Sequence, residues 1–101
     1  MQNSNIKHAV LFNLKHEKNS AEEKKFLDDS ERILSAIPGV VNFTVMQQLS
    51  PKNNFDWYFY MEFKDELAYK NYNNHPDHVK YVKERWDTEV ADFMETDLTV
   101  R

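Results

Sequence analysis

The stretch DWYFYMEFKDELAYKNYNNHPDH, Asp56 to His78, decides how this chain is read. It opens on an alternation. Trp57, Phe59, Met61 and Phe63 share one face of an extended segment, and Tyr58, Tyr60 and Glu62 share the other. Neither face is plainly polar at its centre, so the strand, Asp56 to Lys64, has two faces to cover. Asp65 stands where a helix N-cap belongs, and the helix runs to about Asn73 with Leu67, Ala68 and Tyr72. His75-Pro76 ends it, because proline restricts the residue before it and suits the first position of a new helix. That second helix is expected from Pro76 to about Thr88, with Val79, Val82 and Trp86 as its buried stripe.

Working outward, Ile6 to Lys15 partly alternates. Ile6, His8, Val10, Phe12 and Leu14 lie on one face, with Ala9 and Leu11 on the other. Ser20-Ala-Glu-Glu23 is a capping box ahead of a helix from Ala21 to about Ala36, whose core face carries Phe26, Leu27, Ile33, Leu34 and Ile37. Pro38-Gly39 ends that helix. Val40 to Leu49 reads as a strand with Val41, Phe43 and Val45 on one face, and Ser50 to Asn54 as a hairpin-like loop. Glu89 to Val100 is the last strand, although Asp92 and Asp97 weaken its pattern. Residues 1–5 are expected to be a flexible N-terminus and residues 6–101 one domain. The order β-α-β-β-α-β defines an α+β, ferredoxin-like plan: a four-stranded antiparallel sheet with helices on one face. His8 and Phe59 are placed on the helix side, which puts the larger apolar set in the core. Leu11, Ala9, Tyr58 and Tyr60 are then left on the open face, and covering it calls for a homodimer joined sheet to sheet.

Composition narrows the function classes. In 101 residues, 13 Lys and Arg against 17 Asp and Glu give a net charge of −4, which argues against nucleic acid as a partner. There is no cysteine, so disulfides, thiolate zinc sites and cysteine nucleophiles are excluded. A single glycine leaves no room for a Gly-rich phosphate loop. Ala9 to Phe12 is too short an apolar run for a signal peptide or a membrane span, so a soluble cytoplasmic protein is expected. Neither a metal nor a cofactor is expected: histidines three apart across a proline are not an established ligand pattern.

The residues that point to chemistry are Tyr72-Asn-Asn-His75-Pro76-Asp77-His78. With Pro76 as the first helical residue, His75 is the cap and His78 lies in the first turn. The positive end of the helix disfavours a charged imidazole there, so His78 tends to be neutral and able to accept a proton. The Tyr72 phenol can donate to a developing oxyanion. A neutral base beside a phenol suits proton abstraction next to a carbonyl. A small organic ligand is expected between sheet and helices, in a pocket lined by His8, Phe26, Tyr72, His78, Val82 and Trp86, with His75 alongside. Bland readings stand beside this one: His75 filling a turn, His78 bonded to a loop carbonyl, His8 a satisfied core histidine.

Taken together these residues resemble the stress-responsive α/β-barrel, or Dabb, family over nearly the whole chain. The resemblance is carried by Lys7-His8 with Val10-Leu11-Phe12, by Ile37-Pro38-Gly39-Val40, by Tyr72-x-x-His75-Pro76-x-His78 after a strand ending in Phe63, and by Asp92-Phe93. The family implies a dimeric α+β barrel, and most of its members have no assigned reaction. One branch, typified by olivetolic acid cyclase, closes a polyketide by aldol condensation without a cofactor. That likeness implies His78 as base and Tyr72 as assistant, with histidines also at His8 and His75. Ser30 stands where that branch has a pocket tyrosine, and Val82 where it has a small glycine, which should narrow the cavity. Three functions follow as alternatives: a small-ligand binding protein, a cofactor-free cyclase or isomerase, and a stress-associated structural dimer.

Overall fold

The computed structural model describes residues 5–101. The elements in chain order are β1 (Ile6–Leu14), α1 (Ala21–Ser35), β2 (Val41–Gln47), β3 (Trp57–Phe63), α2 (Glu66–Asn74), α3 (Pro76–Tyr81), a π turn (Val82–Trp86), the short α4 (Asp87–Glu89) and β4 (Val90–Leu98). The strands form one antiparallel sheet in the order β2-β3-β1-β4. This is the ferredoxin-like arrangement expected from the element order. The expectation for residues 1–4 lies outside the described residues. Asn5 is exposed, and its carbonyl accepts a hydrogen bond from the Thr99 hydroxyl at 3.1 Å.

The caps form as their residue types dictate. The Ser20 hydroxyl accepts from the Glu23 amide at 3.1 Å, and the Asp65 carboxylate accepts from the Ala68 amide at 2.8 Å. The buried Glu23 carboxylate goes further than a capping box asks: it accepts from the Asn19 amide and from the Trp57 indole N–H.

The core lies between the sheet and the helices. Phe12, Phe59, Met61 and Phe63 from the sheet meet Phe26, Leu34, Tyr72 and Tyr81 from the helices, all buried. Phe12 sits at its centre, with the rings of Phe26, Phe59 and Trp86 at 6.0, 4.5 and 5.1 Å. Strand register fixes the faces. Opposite Phe59 and Met61 stand Val10 and His8, and opposite His8 on its other side stands Asp97. His8 and Phe59 therefore lie on the helix side. The open face carries the rows Met46-Tyr58-Leu11-Met94 and Thr44-Tyr60-Ala9-Thr96.

Four local expectations need correction. Val41 does not share a face with Phe43 and Val45. Asn42 takes a positive φ of 57° at a register shift, and this bulge turns Val41 to the open face opposite Glu62. Leu67 points outward, and Tyr69 packs against the core in its place. Val79 is 54% exposed, and Tyr81 takes the buried position expected of it. Pro76 sets the phase of α3 so that His78 faces inward, and a residue one step further round lies about 100° away. The expected single helix from Pro76 to Thr88 is also interrupted: the Asp87 amide bonds to the Val82 carbonyl, five residues back, which makes the π turn.

That turn is clamped by charge. Arg85 donates through Nη1 to Asp29 on α1 at 2.8 Å and through Nε to Glu89, whose other oxygen meets His16 at 2.7 Å. Lys25 and Arg85 together hold the Asp29 carboxyl well below the usual carboxylate range.

Candidate functional site

Between β1 and the α2–α3 junction the core does not close. A hollow of about 250 Å³ remains, floored by Val10, Phe59 and Met61 and roofed by Tyr72, His78, Tyr81, Val82 and Trp86. Asp87, Phe93 and Glu95 stand toward its β4 side. Val10 and Glu95 are cross-strand neighbours, so the edge strand sends a carboxylate to the helix side of the sheet.

Tyr72 and His78 face each other there, with ring centroids 4.4 Å apart. His78 Nδ1 lies 3.2 Å from the Asn73 carbonyl. A carbonyl oxygen can only accept, so Nδ1 carries the proton and Nε2 keeps its lone pair. Burial lowers the pKa of His78, against the pull of the Asn73 carbonyl. The expectation of a neutral imidazole thus agrees in direction, with burial as the leading cause where the helix dipole had been invoked. The Asn73 bond is also the loop-carbonyl contact of the bland reading, and it leaves the second ring nitrogen free.

Tyr72 is only 3% exposed, and its hydroxyl has no protein hydrogen-bond partner among the described residues. Burial, reinforced by Tyr81, Tyr69 and Glu95, pushes its pKa far up, so it stays a proton-bearing donor. A buried hydroxyl without a partner is unusual. Tyr81 shows the ordinary case: its hydroxyl is 2.6 Å from the fully buried Ser30 Oγ.

His8 forms part of the wall and is 4% exposed. Its Nδ1 lies 2.6 Å from Asp97 Oδ1, and the Tyr69 hydroxyl is 2.9 Å from that nitrogen and 3.0 Å from that oxygen. This triad of side chains separates the hollow from an outer groove of about 840 Å³, on which Tyr69, Asn73 and Asp97 also stand. His8 is therefore a satisfied core histidine through one nitrogen and a lining residue at the same time.

Of the residues singled out from sequence, His8, Tyr72, His78, Val82 and Trp86 are brought together on the hollow. Phe26 and His75 are not. Phe26 is fully buried against Phe12, Phe59, Tyr81 and Trp86, because its place on α1 points it into the centre of the core. His75 is the α3 cap, its Nδ1 accepting from the Asp77 amide at 3.1 Å. Sequence reasoning missed Tyr69, Asp97, Glu95 and Tyr81. Asp97 and Glu95 alternate on a strand whose pairing with His8 and Val10 only register reveals. Among the described residues no three His, Asp or Glu converge to hold a metal ion, and no helix is long and apolar enough to cross a membrane.

Fold and site define a small ferredoxin-like α+β domain with an imidazole and a phenol on one interior hollow. The chain belongs to the Dabb family, the stress responsive A/B barrel domain, whose profile matches residues 6–100. It is similar to a Dabb family protein with a ferredoxin-like fold from Mesorhizobium loti: 48% identity, 98% of this chain and 99% of that one covered, TM-score 0.96. Two more distant structures share the fold. A dimeric ferredoxin-like protein of unknown function from Thermobifida fusca is 20% identical over 98% of this chain and 93% of that one, with a TM-score of 0.77. Hydroxynitrile lyase from Passiflora edulis is 13% identical over 97% and 94%, with a TM-score of 0.83. No curated protein matches the sequence significantly.

Proposed function

We propose that this protein is a homodimeric, single-domain Dabb protein of the cytoplasm that binds a compact organic ligand in the hollow. The observation that carries this reading is the Tyr72 hydroxyl, buried and without a protein partner among the described residues, on a ring whose centroid lies 4.4 Å from that of His78. The pair offers one donor and one acceptor on the same hollow, which suits a carbonyl or hydroxyl group. His8, held by Asp97, offers a further ring nitrogen on the same wall.

The same pair favours a second reading, cofactor-independent proton transfer of the isomerase or aldol-cyclase type. In it His78 Nε2 takes the proton beside a carbonyl while Tyr72 donates to the oxygen on which charge develops. That the fold serves as a lyase in the Passiflora protein is compatible with such chemistry without assigning it here. A hollow of about 250 Å³, with Val82 on its wall, supports a compact substrate over a long-chain polyketide of the olivetolic acid cyclase kind. The dimer rests on the open face, where Met46 and Met94 are 42% and 47% exposed beside Tyr58 and Leu11, and on the dimeric Thermobifida fold-mate.

An NMR screen of small aromatic ketones tests the ligand reading. Shifts gathered on Tyr72, His78 and Trp86, and lost in Val82→Trp, support it; shifts elsewhere that survive Val82→Trp reject it. For the second reading, any turnover of an activated ketone must vanish in His78→Ala while the fold is kept. Sedimentation reads the dimer: a dimer at micromolar concentration that Tyr58→Glu dissociates is expected, and a wild-type monomer rejects it.

A further inference from the structure

We infer that the hollow selects by charge: it admits compact neutral or cationic molecules and turns anions away, and Glu95 sets the preference. This rests on the reading of the hollow as a ligand site and names the class of ligand it takes. Two carboxylates, Asp87 and Glu95, stand on its wall, and no lysine or arginine does. Neither carboxylate has a salt-bridge partner among the described residues, in contrast with Asp29 and Glu89, which are paired with Arg85. Glu95 lies on the helix side of β4 by its register with Val10, and its field reaches inward, opposing ionisation of both Tyr69 and Tyr72. The rest of the lining is mainly apolar, and the two carboxylates are themselves exposed, so their effect is greatest at low salt. Of the two imidazoles on the wall, His78 is held toward its neutral form, and any positive charge on His8 is matched by Asp97 at 2.6 Å. An anion entering would meet uncompensated negative charge; a neutral carbonyl compound meets the Tyr72 donor, and a cation gains from Glu95. The volume equals the share of roughly eight waters, enough for one aromatic ring with short substituents.

Three nearly isosteric probes separate charge from shape: 4-acetylbenzamide, 4-acetylbenzoate and 4-acetylbenzamidine. Each is titrated at low salt into the full chain, following the Trp86 indole N–H and the Tyr72 and His78 signals. The benzoate is expected to bind about tenfold or more weakly than the benzamide, and the benzamidine at least as tightly as the benzamide. In Glu95→Gln the ratio of benzamide to benzoate affinity should fall at least about threefold, and added salt should narrow it in the wild type. A benzoate that binds as well as the benzamide, or a ratio unchanged in Glu95→Gln, overturns the charge selection while leaving the ligand site standing. If none of the three moves these signals at millimolar concentration, the ligand-site reading falls and the selection with it.

Discussion

The two buried tyrosines on the hollow should respond in opposite ways to loss of the hydroxyl. Tyr81 shares a 2.6 Å hydrogen bond with Ser30, and the two residues are 4% and 0% exposed. Ser30→Ala strands the Tyr81 hydroxyl, and an unsatisfied buried polar group costs about 1–3 kcal/mol. Tyr81→Phe should cost less, about 0.5–1.5 kcal/mol, because a helical serine can turn its hydroxyl to the carbonyl four residues back. The double variant removes both partners and should cost clearly less than the sum of the singles. Tyr72→Phe breaks no protein hydrogen bond and should leave stability unchanged or slightly higher, although it removes the proposed donor. Urea unfolding at fixed protein concentration reads all four variants, and each kcal/mol corresponds to roughly 4–8 °C in Tm for a domain near this size. Additive costs for Ser30 and Tyr81 would refute the coupling. A Tyr72→Phe loss as large as that of Ser30→Ala would show that the Tyr72 hydroxyl is satisfied within the protein, and the ligand argument would lose its footing.

Other perturbations test the electrostatics and the core. NMR of the His78 ring should show a midpoint below the ordinary histidine value and, at pH 7, a proton on Nδ1; a proton on Nε2 would contradict the proposed base. Because that pKa is lowered by folding, the unfolded chain binds the proton more readily. His78 therefore costs stability as pH falls below about 6.5 and nothing above it, and His78→Gln should flatten Tm across that window. Asp29 and Glu89 are lowered too, Asp29 by its Lys25 and Arg85 hydrogen bonds, Glu89 because Arg85 and His16 outweigh its burial. Their contribution is present above about pH 4.5 and lost as pH falls, so Arg85→Met should lose less Tm than wild type between pH 7 and pH 3. Phe12→Ala, at a fully buried ring touching three others, should cost about 3–5 kcal/mol by urea unfolding; less than about 2 would mean the core is looser than described.

How far these features were legible in the sequence follows from how local their causes are. The strand from Trp57, the Ser20 and Asp65 caps and the Pro76 start depend on neighbours within a turn, and each was readable. His75-Pro76-x-His78 after Tyr72 was readable as well, since proline fixes the phase of the helix that turns His78 inward. What escaped depends on partners far off in the chain. Asp97 looked like a flaw in the last strand until register set it beside His8, 89 residues away. Glu95 is exposed, and only its pairing with Val10 puts it on the helix side of the sheet. The Val41 error came from a bulge at Asn42, a residue type tolerant of positive φ but carrying no unique mark of one.

The π turn accounts for the shape of the site. Along an unbroken α-helix from Pro76, Trp86 would lie about 80° round the axis from His78. The bond from the Asp87 amide to the Val82 carbonyl spends an extra residue within that turn and brings Trp86 back toward the line of His78 and Val82. There its ring meets Phe12 at 5.1 Å and Phe93 at 5.6 Å, closing one end of the hollow without filling the space beside Tyr72. A π turn forgoes regular helical bonding, and here Arg85, within it, is tied to Asp29 and Glu89. The ion-pair cluster on the outside and the partnerless phenol on the inside are thus two sides of one arrangement. Releasing the clamp should let the helix relax and swing Trp86 away, so Arg85→Met should alter the Trp86 ring contacts as well as the acid stability. An unchanged Trp86 indole environment in that variant would separate the two.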